Sequence, residues 1–408
     1  MNSFNNSNDN SVSLTLWELL LKVKLEVNST GILKSNPLEH LNIGIIYELS
    51  RRLKRNSASQ KMELIDWQKN PKLANELASK ISNNKYEFGI ARQTTIQSNG
   101  KDRIIYSYRL EDKIVQKIIS LVLNEIFDHE FFSESFAYRP NMSIQAGMRL
   151  IDQQYQEEKY CLKLDIHKCF NNIDNLKLIQ ILESKIKHPH FLKIIKKSLN
   201  TYTKSDGKKV KHSGIPQGSV HAPILANIYL HHCLDKPLRE TYPDIKFYRY
   251  ADDLLLTTIK EDTNNQINNW IENTLRSQNL SISEKTPNIS LELKNGQKFL
   301  GYKVRKEQER LVIDIDQSKI IQKILEIGLN TPKHLNNYLR SQLKSTSISK
   351  DTHRSWYYML VELPTLIRRE LSTKVKPSSL DTILHEIDSA SKPLLRELSS
   401  QLLEHQIN

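Results

Sequence analysis

Tyr250-Ala251-Asp252-Asp253 lies between two apolar, β-prone stretches, Ile245-Lys-Phe-Tyr-Arg249 and Leu254-Leu-Leu-Thr-Thr-Ile259. The flanking stretches predict two strands, and the tetrapeptide between them predicts the tight turn that joins them. Such a turn can bring two carboxylates to one place, where they repel each other unless a divalent cation lies between them. A lone Asp-Asp pair is more often part of a solvated loop. Motifs elsewhere in the chain are therefore needed to distinguish a cation-binding turn from such a loop.

The overall charge of the chain indicates a polyanionic partner. The 408 residues include 59 Lys and Arg against 46 Asp and Glu, which gives a net charge of +13. Phosphates are the simplest partners for such an excess, because each neutralised phosphate releases counterions. A protein that is merely soluble and basic is the alternative. Between residues 185 and 211, nine lysines stand against one acidic residue, which is typical of either a solvated helix face or a nucleic-acid contact.

Cysteine usage and hydropathy predict a reduced, soluble, cytoplasmic protein. The three cysteines, Cys161, Cys169 and Cys233, form no Cys-x-x-Cys pair, so neither a disulfide framework nor a zinc ribbon is indicated. No apolar run approaches the ~20 residues that a membrane-spanning helix needs, and no signal peptide opens the chain.

Periodicity divides the chain into helical and extended parts. It predicts helices over 13–80, 114–127 and 176–199 and beyond residue 316, with extended segments over 87–96 and 103–108 around a turn at 98–101. Residues 160–166 alternate like a buried strand that leads to Asp165. Asp165 precedes Asp252 by 87 positions, and it completes a three-carboxylate site if the two strands are neighbours. Two-metal phosphoryl transfer needs such a cluster.

A Gly/Pro-rich turn followed by an apolar helix lies between these acids, over residues 213–230. Glycine lets the backbone approach a ligand closely, and the helix behind it is a platform that could lie under a base pair. Each feature taken singly also fits an ordinary loop and helix.

In their order along the chain, these motifs resemble the reverse transcriptase family of the group II intron-like bacterial type, over about residues 86–302. Residues 165–170 resemble its first catalytic motif, 214–230 its PQG motif, 250–253 its YxDD box, 280–286 its lysine-bearing motif and 299–302 its primer-side hairpin, while 100–103, 110–116 and 132–140 resemble its fingers motifs. Ser219, the run His221-Ala-Pro223 and the lead-in at Arg109 depart from the usual intron-encoded pattern.

The resemblance implies roles for the acids and for one aromatic residue. Asp165, Asp252 and Asp253 are expected to hold two Mg²⁺ ions (or Mn²⁺), with the backbone carbonyl of Ile166 as an additional ligand. Phe170 stands where the family places a bulky ring under the sugar, which would exclude a 2′-hydroxyl. The alternative is that Phe170 is a plain core residue.

Four further residues are expected to bind the nucleotide. Lys101 and Arg103 are expected to contact the triphosphate, because cations are needed where charge develops on the phosphates. Gln217 is expected to touch the incoming nucleotide, and Lys285 to protonate the pyrophosphate. Either lysine could instead be a solvated surface residue.

The resemblance implies an α+β fold, a right-hand polymerase whose palm contains an antiparallel sheet. The expected divisions are a disordered tail (1–12), a helical N-terminal extension (13–83), mixed fingers (84–159), a palm (160–308, with fingers helices 176–212 inserted) and a helical thumb (309–408). The expected activity is RNA-directed DNA synthesis from dNTPs, with a non-coding RNA template in bacterial antiviral defence and no membrane partner. A maturase-like RNA-binding protein and a template-independent or protein-primed DNA polymerase are the alternatives.

Overall fold

The computed structural model describes residues 14–53, 58–98, 101–205, 208–284, 289–330, 334–373 and 375–407. The disordered tail predicted for residues 1–12 lies outside these ranges. No helix in the described ranges is both long enough and apolar enough to cross a membrane.

The described chain begins with four helices, continues with mixed helices and strands over residues 91–315, and ends with four helices. The helices are α1 (Leu16–Thr30), α2 (Ile43–Arg51), α3 (Ala58–Gln68), α4 (Pro71–Ser82), α5 (Leu110–Phe127), α6 (Ile144–Gln154), α7 (Cys169–Asn172), α8 (Asn175–Lys185), α9 (Pro189–Leu199), α10 (Ala222–Leu230), α11 (Lys236–Thr241), α12 (Glu261–Arg276), α13 (Gln317–Asn330), α14 (Leu335–Thr346), α15 (Lys350–Leu371) and α16 (Pro377–Ile407). The strands are β1 (Ala91–Ser98), β2 (Lys101–Ser107), β3 (Tyr160–Asp165), β4 (Tyr202–Ser205), β5 (Lys208–Lys211), β6 (Lys246–Tyr250), β7 (Asp253–Thr258), β8 (Leu291–Glu292), β9 (Gln297–Phe299), β10 (Tyr302–Glu307) and β11 (Arg310–Ile315).

The central sheet has the strand order β6-β7-β3-β8, and every neighbouring pair in it is antiparallel. This confirms the predicted antiparallel sheet and the two strands on either side of the Asp252-Asp253 pair. The side chains of β7 alternate between two cores. Leu254 and Leu256 join a core formed with α1, α5, α8, α9 and α10, whereas Leu255 joins a core formed with β10, β11 and the C-terminal helices. The sheet is therefore covered on both faces, which holds its hairpin rigidly.

A second sheet, ordered β2-β1-β4-β5, carries the predicted fingers residues. Strands β1 and β2 form the predicted hairpin, and β4 adds to β1 in parallel, with Ala91 opposite Thr203. Strands β4 and β5 come from the stretch 176–212, for which helices alone were expected. The stretch 176–199 is also not one helix, because the chain breaks between α8 and α9, where Pro189 opens the new helix.

Several cations of the lysine-rich stretch are used within the protein. Lys185, Lys196 and Lys197 each lie 2.6 Å from a carboxylate, those of Glu130, Glu183 and Glu87 respectively. The side chains of residues 204–209 lie outside the described part of the chain. Three of the nine lysines therefore join α8 and α9 to each other or to neighbouring segments.

The C-terminal region is helical, as predicted beyond residue 316, but the prediction of a helical region from residue 309 was wrong at its start. Residues 310–315 form β11, which pairs with β10 in a third sheet, ordered β11-β10-β9. Leu311 and Ile313 of β11 pack into the same core as Trp356 of α15. Burial of this alternating apolar face favours the strand over an extension of α13.

Candidate active site

The turn between β6 and β7 is shorter than the predicted tetrapeptide. Tyr250 and Asp253 are the last paired residues of the two strands, so only Ala251 and Asp252 form the turn. Ala251 has a φ of +56°, in the left-handed region that few residues other than glycine adopt. A positive φ at the first residue of a two-residue turn matches the right-handed twist of the flanking strands.

The three predicted acids come together at one end of the central sheet. Asp165 ends β3 and lies directly opposite Asp253, which begins β7. Directly opposed residues of antiparallel strands have Cβ atoms about 4.5–5.5 Å apart. The N–H of Ile166 donates to the carbonyl of Asp252 at 3.1 Å, so the turn is tied to the end of β3. Their backbone positions thus bring Asp165, Asp252 and Asp253 to one edge.

The segment before Lys285, the residue predicted to protonate the pyrophosphate, is hydrogen-bonded to the backbone around Asp165. The N–H of Ser283 donates to the Asp165 carbonyl at 2.7 Å, and the N–H of His167 donates to the Ser281 carbonyl at 2.8 Å. Lys285 itself lies outside the described residues.

A lysine that sequence reasoning missed lies beside these carboxylates. The Nζ of Lys163 is 3.4 Å from an Oδ of Asp253, and the two side chains are 28% and 33% exposed. Lys163 precedes Asp165 by two residues on β3, so both side chains project from the same face of the sheet. The two-residue spacing between Lys163 and Asp165 is the feature of the sequence from which this position of Lys163 could have been predicted. Lys163 partly neutralises Asp253, and any cation that binds there competes with it.

The oxygen atoms at the end of the sheet that carries the three acids are of the type that binds a hard divalent cation. Mg²⁺ prefers oxygen ligands, and carboxylate and backbone carbonyl oxygens are what Asp165, Asp252, Asp253 and Ile166 offer. Within the described part of the chain, however, no three His, Cys, Asp or Glu side chains already form a metal-holding cluster.

The backbone of Phe170 is clamped by the Gly/Pro-rich turn. Phe170 lies on the one-turn helix α7 and is half-buried. Its carbonyl accepts a hydrogen bond from the N–H of Ile215 at 2.8 Å. Gly214 has a φ of +65°, and a Cβ there would lie 2.4 Å from the carbonyl oxygens of Phe170 and Asn171. Only glycine fits so close an approach, and it places Phe170 five residues after Asp165 in a defined position.

The same turn contacts the fingers sheet. The carbonyl of Gln217 accepts from the N–H of Tyr106 on β2 at 2.9 Å. Gly218, with a φ of +101°, allows this contact, because a Cβ there would lie 2.6 Å from the Tyr106 carbonyl. Lys101 and Arg103 lie on the same strand as Tyr106, but their side chains are outside the described part of the chain. Gln217 is half-buried, and its backbone links the turn to the strand that bears both cations.

His221, one of the departures from the intron-encoded pattern, is fully buried where α10 begins. Its Nε2 lies 2.7 Å from the Ser198 hydroxyl of α9. Burial lowers the pKa of His221 to about 3, because the charged imidazolium would lose its hydration. His221 therefore joins α9 to the helix behind the Gly/Pro-rich turn as a neutral ring.

His221 should make the protein less stable in acid. The folded pKa of about 3 lies below the value of 6.5 for an unperturbed histidine, so the unfolded chain takes up the proton first. The stability that neutral, buried His221 contributes to the folded protein is fully present above pH 6.5. It is lost as the pH falls toward 3, by up to about 1.4 kcal/mol per pH unit. Denaturant unfolding of wild type and His221→Asn from pH 8 to pH 4 should show a shallower decline in the variant. Parallel declines would contradict this account.

Comparison with known proteins agrees with this geometry. The family profile described as "Reverse transcriptase (RNA-dependent DNA polymerase)" matches residues 91–304, which is more than half of the chain. The chain belongs to the reverse transcriptase family. Residues 91–304 are thus a nucleotidyltransferase domain of the RNA-dependent DNA polymerase type, and the predicted right-hand polymerase fold class is confirmed.

Several relatives of this reverse transcriptase are intron-encoded. The "Group II intron-encoded protein LtrA" of Lactococcus lactis subsp. cremoris is 34% identical over 126 residues, covering 31% of this chain and 21% of that protein. The "Uncharacterized 91 kDa protein in cob intron" of Schizosaccharomyces pombe is 34% identical over 158 residues, covering 38% of this chain and 20% of that protein. The predicted group II intron-like type is confirmed. The chain spans only about a fifth of the length of these relatives.

Two weaker likenesses extend over more of the chain. "Protein YkfC" of Escherichia coli is 23% identical over 258 residues, covering 52% of this chain and 66% of that protein. A structure of telomerase from Candida albicans with a fragment of telomeric RNA aligns over 78% of this chain and 62% of that chain, with 13% identity and a TM-score of 0.45. That structural likeness is too weak to bear on the function.

Proposed function

We propose that this reverse transcriptase copies RNA into DNA by extending a primer with dNTPs. The observation that carries the proposal is the register that sets Asp165 opposite Asp253, beside the Ala251-Asp252 turn. The proposal includes the division into N-terminal extension (13–83), fingers (84–159), palm (160–308) and thumb (309–408), in which the helices begin only at α13, after β11. Membership of the reverse transcriptase family supports it.

Asp165, Asp252, Asp253 and the Ile166 carbonyl would hold two Mg²⁺ ions in this proposal. Bound there, the ions would supply charge neutralisation at the attacking 3′-oxygen and at the leaving pyrophosphate. The chain's own groups position the substrate: Phe170 lies under the sugar, and Gln217 touches the incoming nucleotide. Lys101, Arg103 and Lys285 provide positive charge for the triphosphate and a proton for the pyrophosphate.

The proposal extends to a cognate non-coding RNA as template and to antiviral defence in the bacterial cytoplasm. Support for a nucleic-acid partner comes from the net charge of +13. A second function, binding of a structured RNA without synthesis, is favoured by the similarity to a group II intron-encoded protein. Three acids gathered at one edge oppose pure RNA binding, because without a cation they would repel phosphates.

A primer-extension assay separates these functions. Purified protein, a heteropolymeric RNA with an annealed DNA primer, dNTPs and Mg²⁺ should give DNA complementary to the template. Synthesis should require both template and primer, and the product should be free of protein after denaturation. Product made without template, or product still attached to protein, would instead support template-independent or protein-primed synthesis. RNA binding with no synthesis would support the maturase-like role.

A further inference from the structure

A fully buried arginine lies directly behind the turn that carries Asp252. Arg249 on β6 is 0% exposed. Its Nη1 donates to the carbonyl of Ala251 at 3.0 Å and to Oδ1 of Asn227 at 3.2 Å. Its Nε and Nη2 donate to the two carboxylate oxygens of Asp235 at 2.8 and 2.5 Å. One guanidinium thus joins the turn to two residues of the helical segment behind the sheet.

The carboxylate that holds Arg249 comes from an irregular part of that segment. Residues His231–Asp235 form a π-helical turn between α10 and α11, a feature found frequently at functional sites. Asp235 is 0% exposed, and the Nδ1 of His231 lies 3.7 Å from it. Burial by itself would raise the pKa of Asp235, but the Arg249 charge and hydrogen bonds hold it below its usual range. The buried pair is therefore ionised.

Stability alone is a weak explanation for this pair. Replacing a buried ion pair by apolar residues of similar size is often neutral or stabilising. What distinguishes Arg249 is its hydrogen bond to the carbonyl of Ala251, the residue with a φ of +56°. Strained backbone conformations persist only where the surrounding structure over-determines them, and they cluster at active sites.

We propose that Arg249 is a positioning residue that fixes the left-handed Ala251 peptide and thereby directs the carboxylates of Asp252 and Asp253. Asp235 orients the guanidinium from one side, and Asn227, whose amide donates to the Ala137 carbonyl at 2.7 Å, orients it from another. The Ile166 N–H, just after β3, donates to the Asp252 carbonyl. Both residues of the turn are thus held by a hydrogen bond to their carbonyls. The inference rests on the proposed function, in which these carboxylates bind metal.

Arg249→Lys tests this role. Lysine keeps the charge that Asp235 requires, but its single ammonium cannot reproduce the fork that spans Asp235, Asn227 and Ala251. Loss of a group that orients metal ligands typically costs roughly 10- to 100-fold in metal affinity or activity. We expect kcat for dNTP incorporation to fall by that factor, with little change in the KM for dNTP. We also expect the Mn²⁺ concentration for half-saturation, measured by electron paramagnetic resonance, to rise by a similar factor.

Arg139→Lys is the matched control. Arg139 is also largely buried, and its guanidinium donates to the Asp128 carboxylate at 2.7 Å and to the carbonyls of Phe132 and Ser135 at 2.7 Å each. It contacts a carboxylate and carbonyls as Arg249 does. Glu134 and Phe136, on either side of Ser135, hydrogen-bond to the Arg249 backbone. The side-chain hydrogen bonds of Arg139 itself end at Asp128, Phe132 and Ser135 and do not reach the turn. The control should lower the melting temperature about as much as Arg249→Lys and leave Mn²⁺ affinity unchanged.

A second substitution at the turn gives a rescue test. Glycine adopts a positive φ without strain, so Ala251→Gly in the Arg249→Lys background should restore much of the lost Mn²⁺ affinity and kcat. If Arg249→Lys does not fold, Arg249→Met with Asp235→Leu replaces both charges by apolar groups and is tested in the same way.

Mn²⁺ affinity equal to that of wild type in a folded Arg249 variant would overturn the inference. A defect that Arg139→Lys shares, and that Ala251→Gly does not relieve, would overturn it as well. Because Mn²⁺ binding is measured without catalysis, the inference can fail while wild-type synthesis proceeds. If the primer-extension assay rejects the proposed activity, the metal-binding part of the inference is still tested by Mn²⁺ affinity.

Discussion

Replacing Asp252 and Asp253 together by alanine should abolish nucleotide incorporation while the protein remains folded. Asp252 lies in the turn and Asp253 begins β7, and neither carboxylate is deeply buried, so their loss removes metal ligands without opening a cavity. Metal ions supply several kcal/mol of transition-state stabilisation, so we expect a fall of at least about a thousand-fold. Single-nucleotide extension under excess dNTP and Mg²⁺ measures it, with circular dichroism to confirm folding.

The matched control removes two acids that precede the same hairpin in the chain. Glu240 on α11 and Asp244 just before β6 are both exposed, so Glu240→Ala with Asp244→Ala changes the net charge by the same amount. This control should retain incorporation. Retained synthesis in the Asp252/Asp253 variant would exclude the metal-dependent mechanism. Full cellular function of a variant that no longer synthesises DNA would show that RNA binding is the task of the protein.

Shrinking Phe170 to alanine should admit ribonucleotides. If the ring lies under the sugar, its removal relieves the clash with the 2′-hydroxyl, and discrimination of this kind is typically worth ~1–3 kcal/mol, or roughly ten- to two-hundred-fold. The hydrogen bond from Ile215 and the close approach of Gly214 hold the Phe170 backbone, so the ring can be removed without moving Asp165. The ratio of kcat/KM for rNTP and dNTP measures the effect, and dNTP incorporation should fall less than in the Asp252/Asp253 variant.

Phe88→Ala is the control for lost packing. Phe88 is also half-buried against the same core as Phe170. Both variants should lose stability, but only Phe170→Ala should change sugar selection. An unchanged rNTP/dNTP ratio in Phe170→Ala would assign its ring to ordinary core packing.

Local patterns predicted the parts of the fold that depend on near neighbours. The alternation of residues 160–166 predicted β3. The apolar, β-prone stretches on both sides of Asp252 predicted β6 and β7. Prediction was less accurate where tertiary contacts override local preference. Residues 310–315 form β11 because β10 pairs with them, and the stretch 176–199 is divided where Pro189 starts a new helix.

The sequence by itself determined the family, the hairpin and the identity of the three acids, because motif order and strand periodicity are properties of the chain alone. Only the tertiary structure decided what surrounds those acids. Lys163 reaches Asp253 because β3 and β7 pair in one register, and Arg249 reaches Asp235 because a π-helical turn packs behind the sheet. Contacts of this kind depend on how covered sheets and helices pack together, and no pattern in one short segment records that packing.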